Sequence, residues 1–358
     1  MVTALTFLII LIILVVIHEL GHFFAAKKND VYVEEFGVGF PPKAFGKKLG
    51  ETVYTVNWLP LGGFVKLYGE EYHEEGKLEK KPKIPTSRAF VNKKPWQKTI
   101  IIVAGVLMNF VLGWVIISYL FTSGIPMPTG VSIVEVQPNS PAAQAQLQKN
   151  DQLVSISKDN TVIEISTTYE LIRATKQFSG EIVDITINRN GTEQTVQLEA
   201  RENPPANQGA FGIVINQNVE EKKYPWYTAP FYGLERAFTM TRMIAVEILK
   251  IPYQLITQQK TDVEFSGPVG IAKVVGEARA YGIKPLLEIM ALLSLNLAVI
   301  NILPFPALDG GRLVFILYEW VSGRRPNQNF EKYMNLVGII ILLSLSAWVT
   351  VYDILKLF

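Results

Sequence analysis

The sequence predicts an α-helical membrane protein with four transmembrane helices, a β-hairpin loop on the cytoplasmic side, and an α+β segment inserted between the second and third helices. Three observations predict it. Hydrophobic residues make up 49% of the 358 and charged residues only 18%, an apolar balance for a soluble chain. The stretches 2–26, 99–121, 286–306 and 336–358 are each apolar over about the 20 residues that a bilayer requires. The stretch 130–200, in contrast, is soluble in composition.

The first apolar stretch has no basic residue ahead of it and is long, so it reads as an anchor rather than a cleaved signal. Lys27, Lys28, Lys93, Lys94 and Lys98 flank the loop between spans one and two. Arg312, Arg324, Arg325 and Lys332 fill the loop between spans three and four. Basic residues mark cytoplasmic loops. Both termini and residues 122–285 are therefore expected outside. A net charge of +2 gives no reason to expect nucleic acid, and the absence of cysteine excludes disulfides and thiolate metal sites.

Span one contains HELGH, with His18, Glu19 and His22 near its cytoplasmic end; the chain has only three histidines. Four residues apart on a helix, His18 and His22 share a face. This is the HExxH arrangement, in which two imidazoles hold zinc and the glutamate serves as general base. An ionisable group at membrane depth costs about 3 kcal/mol on insertion scales, so three within five residues need a compensating partner, and a divalent ion supplies one. Catalytic zinc takes three protein ligands. Without cysteine, the third is expected to be a carboxylate from another span. Asp309 is the candidate, because NILPFPALDGG breaks span three with Pro304 and Pro306 and returns the chain toward the depth of His18.

HELGH and NILPFPALDG together resemble the site-2 protease family of intramembrane zinc metalloproteases, most closely its bacterial RseP-type members. The resemblance covers essentially the whole chain. GVLMN at 105–109, EFGVGF at 35–40, WLPLGGFVKLYG at 58–69 and SGPVGI at 266–271 fit the same pattern. It implies one zinc ion held by His18, His22 and Asp309, with Glu19 activating water. It further implies that Asn296 and Asn301 hold substrate backbone. Helix–helix hydrogen bonding is the other role open to these two, and Asn109 is open to either role; Gly105 suits close helix packing. The implied substrates are single-span membrane proteins already trimmed outside the membrane, such as anti-sigma factors, or remnant signal peptides. The implied location is the bacterial inner membrane.

TVYTVNWLPLGGFVKLY, residues 52–68, alternates and is rich in Val, Tyr, Trp and Phe, so it reads as a hairpin turning at Pro60 to Gly63. The resemblance makes it a membrane-associated β-loop offering an edge to substrate, with Gly62 and Gly63 among the contacts. Residues 70–94 read as a charged surface loop, and His73 within it as solvated. Residues 130–200 give strand, turn, short helix and strand, then a hairpin with Asn190-Gly191 at its turn. This resembles a bacterial PDZ domain, although Gln146 and Asn150 stand where the common pattern has glycine. Gly130, Val131, Ser132 and Ile133 are the expected peptide-binding strand, and the family role of the domain is to exclude untrimmed substrates. Residues 224–259 read as an interfacial amphipathic helix.

The expected organisation is 1–122 (spans one and two, with the β-loop at about 27–98), 123–202 (PDZ), 203–285 (interfacial helical segment) and 286–358 (spans three and four). Two other functions fit parts of the pattern. A silent PDZ-bearing scaffold would not need Glu19. A zinc-handling membrane protein would place ionisable residues along a path rather than at one depth.

Overall fold

The computed structural model of the chain describes residues 2–70, 84–159, 161–205, 208–257 and 267–356. His73 and residues 71–83 of the expected charged loop lie outside these. The chain divides into two compact units, Met1–Thr122 with Pro225–Phe358, and Ser123–Tyr224.

The first unit begins with α1 (Val2–Lys28). Its buried residues Ile10, Leu14, His18, His22 and Ala26 recur every four positions, so one stripe faces protein. Val2, Leu5, Ile9 and Ile13 point outward. Next come β1 (Val33–Leu49) and β2 (Thr52–Leu67), which pair with each other in three registers. Lys43–Leu49 meets Thr52–Asn57 across the turn at Gly50-Glu51. Glu35–Val38 meets Gly63–Lys66 on one side and, with numbers rising together, Val53–Val56 on the other.

The hairpin expected to close at Pro60–Gly63 therefore does not form. Residues 52–57 and 63–67 are separated by Glu35–Val38, and Pro60–Gly63 only carries the chain around its end. The alternation of 52–68 was legible, but an inserted central strand leaves no signature in that stretch. The segments 43–49 and 63–67 are left as the sheet's edges.

Glu51 ties the tight turn down. It accepts from Arg88 Nη1 and Nη2 at 2.9 and 3.0 Å and from Lys27 Nζ at 2.7 Å. The Arg88 hydrogen bonds, then that of Lys27, hold its carboxyl at about 2, against roughly 4.3 for free glutamate. A depressed carboxylate stabilises fully above its unfolded pKa and loses that contribution as pH falls toward the folded value. The pair is partly solvated, so the effect stays within about 1 kcal/mol. Amide protection factors for residues 43–57 are expected to fall between pH 4.5 and 2.5 in the wild type, and to change less over that range in Glu51→Gln.

Among the described residues, the other α-helices of this unit are α2 (Pro95–Ser123) and, after the second unit, five more. These are α5 (Ala229–Ile256), α6 (Pro268–Ala280), α7 (Ile283–Ile302), α8 (Asp309–Ser322) and α9 (Gln328–Leu355). Among the described residues, four helices are long and apolar enough to cross a membrane: α1, α2, α7 and Asn329–Leu355 of α9. Helix α9 starts eight residues before the expected 336. Asn327 Oδ1 caps it by accepting from the Asn329 and Phe330 amides, a local signal that the polar residues 327–332 concealed from a search for apolar runs. Helix α5 occupies most of the expected amphipathic segment 224–259, with Trp226, Tyr227 and Phe231 exposed near its start.

The second unit is built on β3 (Ile125–Val136), β4 (Gln152–Lys158), β5 (Thr161–Glu164), β6 (Ile182–Arg189), β7 (Thr192–Glu199) and β8 (Ile213–Lys222). The order is β7-β6-β4-β3-β8, with β5 also on β4. Val131, Ile133, Leu153, Ile156, Val183, Ile185 and Ile187 form its core with residues of α3 (Pro141–Gln144) and α4 (Thr168–Gln177). Asn190 and Gly191 both have positive φ, 53° and 84°, as the β6–β7 turn requires.

Two expectations change here. The unit extends to Tyr224 rather than ending at 202, because β8 pairs with β3 along ten residues. Gly130–Ile133 is not an open strand. It pairs with β8 on one side, while on the other Val131 and Ser132 pair with β4 and Ile133 N–H donates to Asp151 O. No backbone edge is free there; the outer strand is β8.

Candidate metal centre

Helix α2 lies against the histidine face of α1. A methyl group at Gly21 would overlap the carbonyl of Ala104, so the two backbones approach as closely as glycine allows. Gly105 faces the imidazoles: a methyl there would meet His22 Cε1 at 2.5 Å and His18 Cε1 at 3.0 Å. Glycine at 105 thus makes room for the two rings, which gives the packing role expected for it a specific content.

Asp309 arrives from the other side. The turn 303–308 follows α7, with Ala307 at φ 71°, and Asp309 opens α8. Gly310 and Gly311 sit against the carbonyls of Ile302, Leu303 and Phe305, where a Cβ has no space. Helix α9 covers the irregular backbone: Asn335 Oδ1 accepts from Ala307 N–H at 3.3 Å, and Gly338 packs on Pro306. This is the protein cover that irregular backbone at membrane depth needs.

Three atoms converge. His18 Nε2 lies 3.0 Å from Asp309 Oδ2, His22 Nε2 lies 3.2 Å from the same oxygen, and the two Nε2 atoms are 3.1 Å apart. All three side chains are nearly buried. Asp309 Oδ2 has no well-directed hydrogen-bond donor among the described residues. Donors about 2.0–2.2 Å from a tetrahedral zinc are separated by roughly 3.3–3.6 Å. The observed triangle needs only a few tenths of an ångström of expansion to match, and two imidazoles with one carboxylate is a zinc donor set. Among the described residues this is the group of histidines and carboxylates able to hold an ion. Behind His22, Nδ1 donates to the Ile101 carbonyl at 2.8 Å, which leaves Nε2 free to ligate.

A cavity of about 520 Å³ opens on this triangle. Its wall includes His18, Glu19, His22 and Asp309, the edge residues Phe64 to Leu67, and Glu34, Glu70 and Arg312. Glu19 is thus in the same cavity as His18, His22 and Asp309. Asn109, Asn296, Asn301, Gly62 and Gly63 are not part of its wall. Asn296 Nδ2 donates to Leu292 O in its own helix at 3.0 Å. A side chain at Gly63 would nevertheless reach within 3.4 Å of Glu19 Cγ, so that strand edge runs beside Glu19.

Sequence reasoning missed Arg312 and Glu70, joined at 2.5 Å between α8 and the end of β2. The available signal was spacing, since Arg312 is one helical turn beyond Asp309. It also missed Lys98, nearly buried on α2, whose Nζ donates to Glu319 Oε1 and Oε2 of α8 at 3.0 and 2.8 Å. Removing one partner of a buried pair costs about 3–5 kcal/mol. Glu319→Ala is expected to lower the melting temperature in detergent clearly, and Glu319→Gln less.

Residues 6–345 match the profile of peptidase family M50. The chain belongs to peptidase family M50. A Clostridium perfringens relative is 34% identical over 349 residues, covering 96% of this chain and 95% of its own. Zinc metalloprotease RasP of Geobacillus kaustophilus is 30% identical over 423 residues, 99% of this chain and 98% of that protein. Regulator of sigma-W protease RasP of Bacillus subtilis is 28% identical over 429 residues, 99% of each. This M50 peptidase is accordingly a zinc metalloprotease, and the triangle of His18, His22 and Asp309 suits the ion its family uses.

Proposed function

We propose that the chain cuts transmembrane segments of single-span proteins within the bilayer, with His18, His22 and Asp309 holding zinc and Glu19 as general base. The observation that carries this is the convergence, within 3.2 Å, of Asp309 Oδ2 with the Nε2 atoms of two histidines that sit on an apolar helix long enough to cross a membrane. When bound, zinc acidifies water and polarises the scissile carbonyl. Glu19, in the same cavity, is placed to take up a proton at its carboxylate and to deliver it to the leaving amine.

A helix in lipid hides its peptide bonds in its own hydrogen bonds, so substrate must unwind. The edge 63–67, beside Glu19 and in the cavity wall, is suited to receive it as an added strand. Arg312, Arg324 and Arg325 together with Lys27 and Lys28 support a cytoplasmic active site and a second unit outside. That unit is read as a PDZ domain, and the edge strand beside α4 is β8. Gln217 of β8 accepts there from Thr168 N–H at 2.8 Å. Anti-sigma factors are the favoured substrates, because the Bacillus subtilis relative is a regulator of a sigma factor.

The test is reconstitution of the purified protein with a tagged single-span substrate truncated outside the membrane. Mass spectrometry of the products is expected to place the cut inside the apolar segment. A cut confined to flanking soluble sequence would defeat the intramembrane reading.

A further inference from the structure

Asn109 was expected to touch substrate or to pack helices. It is fully buried, its side chain lies behind His18 rather than in the cavity wall, and the interhelical bond at this position uses its backbone: Ser294 Oγ donates to Asn109 O at 2.7 Å.

The side-chain amide lies with Nδ2 3.3 Å from His18 Nδ1, while Oδ1 is buried with no hydrogen-bond partner among the described residues. A half-turn of the amide exchanges its two ends at almost no steric cost, so the hydrogen-bond network decides which end faces the ring. His18 Nε2 is the atom aimed at His22 and Asp309. A neutral imidazole that ligates through Nε2 carries its proton on Nδ1, and two N–H groups cannot face each other at 3.3 Å. An oxygen is required there.

We infer that Asn109 is a positioning residue for the metal site: its Oδ1 accepts the Nδ1 proton of His18, fixing the tautomer and the ring angle at which Nε2 meets the ion. This rests on the zinc reading of His18.

The arrangement has a counterpart at the other histidine. Ile101 O accepts from His22 Nδ1 at 2.8 Å. Residues 101, 105 and 109 are each four apart on α2 and read His22, both rings, and His18 in turn. The antiparallel crossing at Gly21 and Ala104 puts one turn of α2 opposite each histidine. A backbone carbonyl serves His22. At 109 the backbone carbonyl points along the helix to Ser294, so a side-chain acceptor has to do the same task. Outer partners of this kind are worth roughly 10–100-fold in metal affinity.

The experiment compares zinc affinity, by chelator competition on the purified full chain in detergent, for wild type, Asn109→Leu, Asn109→Asp and His18→Ala. Aspartate has the shape of asparagine but offers only acceptors. Melting temperature of the metal-free proteins reports packing separately. The expected result is that Leu weakens zinc by 10–100-fold, while Asp stays within a few-fold of wild type or binds more tightly.

Loss of zinc in Asp equal to that in Leu would show that the group donates or merely packs, and would overturn the inference, as would full affinity in Leu. If the Leu variant does not fold, the Asp variant decides: affinity near wild type supports, and a loss beyond tenfold overturns. His18→Ala is the control on the underlying reading. Unchanged zinc in that variant would refute His18 as a ligand and the inference with it, whereas lost zinc there with a failed Asp rescue refutes Asn109 alone.

Discussion

Glu19→Gln will retain one zinc per chain and lose cleavage by 10²-fold or more. Glutamine keeps the size of Glu19 and its place in the cavity wall, and none of the three converging ligand atoms belongs to it. What it lacks is basicity, and positioned proton transfer is worth about 10²–10⁴-fold. Parallel measurement of metal content and of cleavage of a truncated single-span substrate checks this. A variant that still cuts at the wild-type rate would remove Glu19 from the mechanism. A variant that loses zinc would mean that Glu19 holds the site together rather than working in it.

Gly105→Ala is expected to damage the metal site itself. The added methyl would overlap His22 Nε2 and sit 2.5 Å from His22 Cε1 and 3.0 Å from His18 Cε1. Neither ring can retreat, because His22 is held at Ile101 and His18 lies against Asn109. Overpacking of this sort costs about 1–3 kcal/mol, and the easiest relief is to turn the imidazoles off their ligating angle. Zinc affinity should fall roughly 10–100-fold.

Gly113→Ala, two turns further along the same helix, is the matched control. There the methyl would meet the Leu295 side chain at 2.7 Å, far from the ligands, so stability should drop while zinc affinity holds. Equal zinc loss in both variants would mean that the helix, not the ring contact, is what matters.

The convergence of the candidate ligands was legible in part because the histidine spacing is local. His18 and His22 lie one turn apart on an apolar span, and their shared face follows from helix geometry alone. Asp309 was legible through its setting, since Pro304 and Pro306 must end span three. Asn296 and Asn301, read through the resemblance, stand outside the cavity wall, and Asn296 bonds its own helix. Helix α8 went unseen because 309–322 is too short and too charged for a span, and its pairing to Lys98 and Glu70 joins residues more than 200 apart.

The sequence by itself determined the apolar helices, the two histidines one turn apart on the first of them, and the existence of a separate α+β unit. These depend on composition and on periods of a few residues, which short-range geometry fixes. Only the tertiary structure decided that Glu35–Val38 lies between 53–56 and 63–66, that β8 closes the second unit's sheet, and that Asn109 stands behind His18. Each is a contact between segments far apart in the chain. Such contacts are chosen by which backbone edges remain unpaired and which side chains leave room, and no local pattern records that choice.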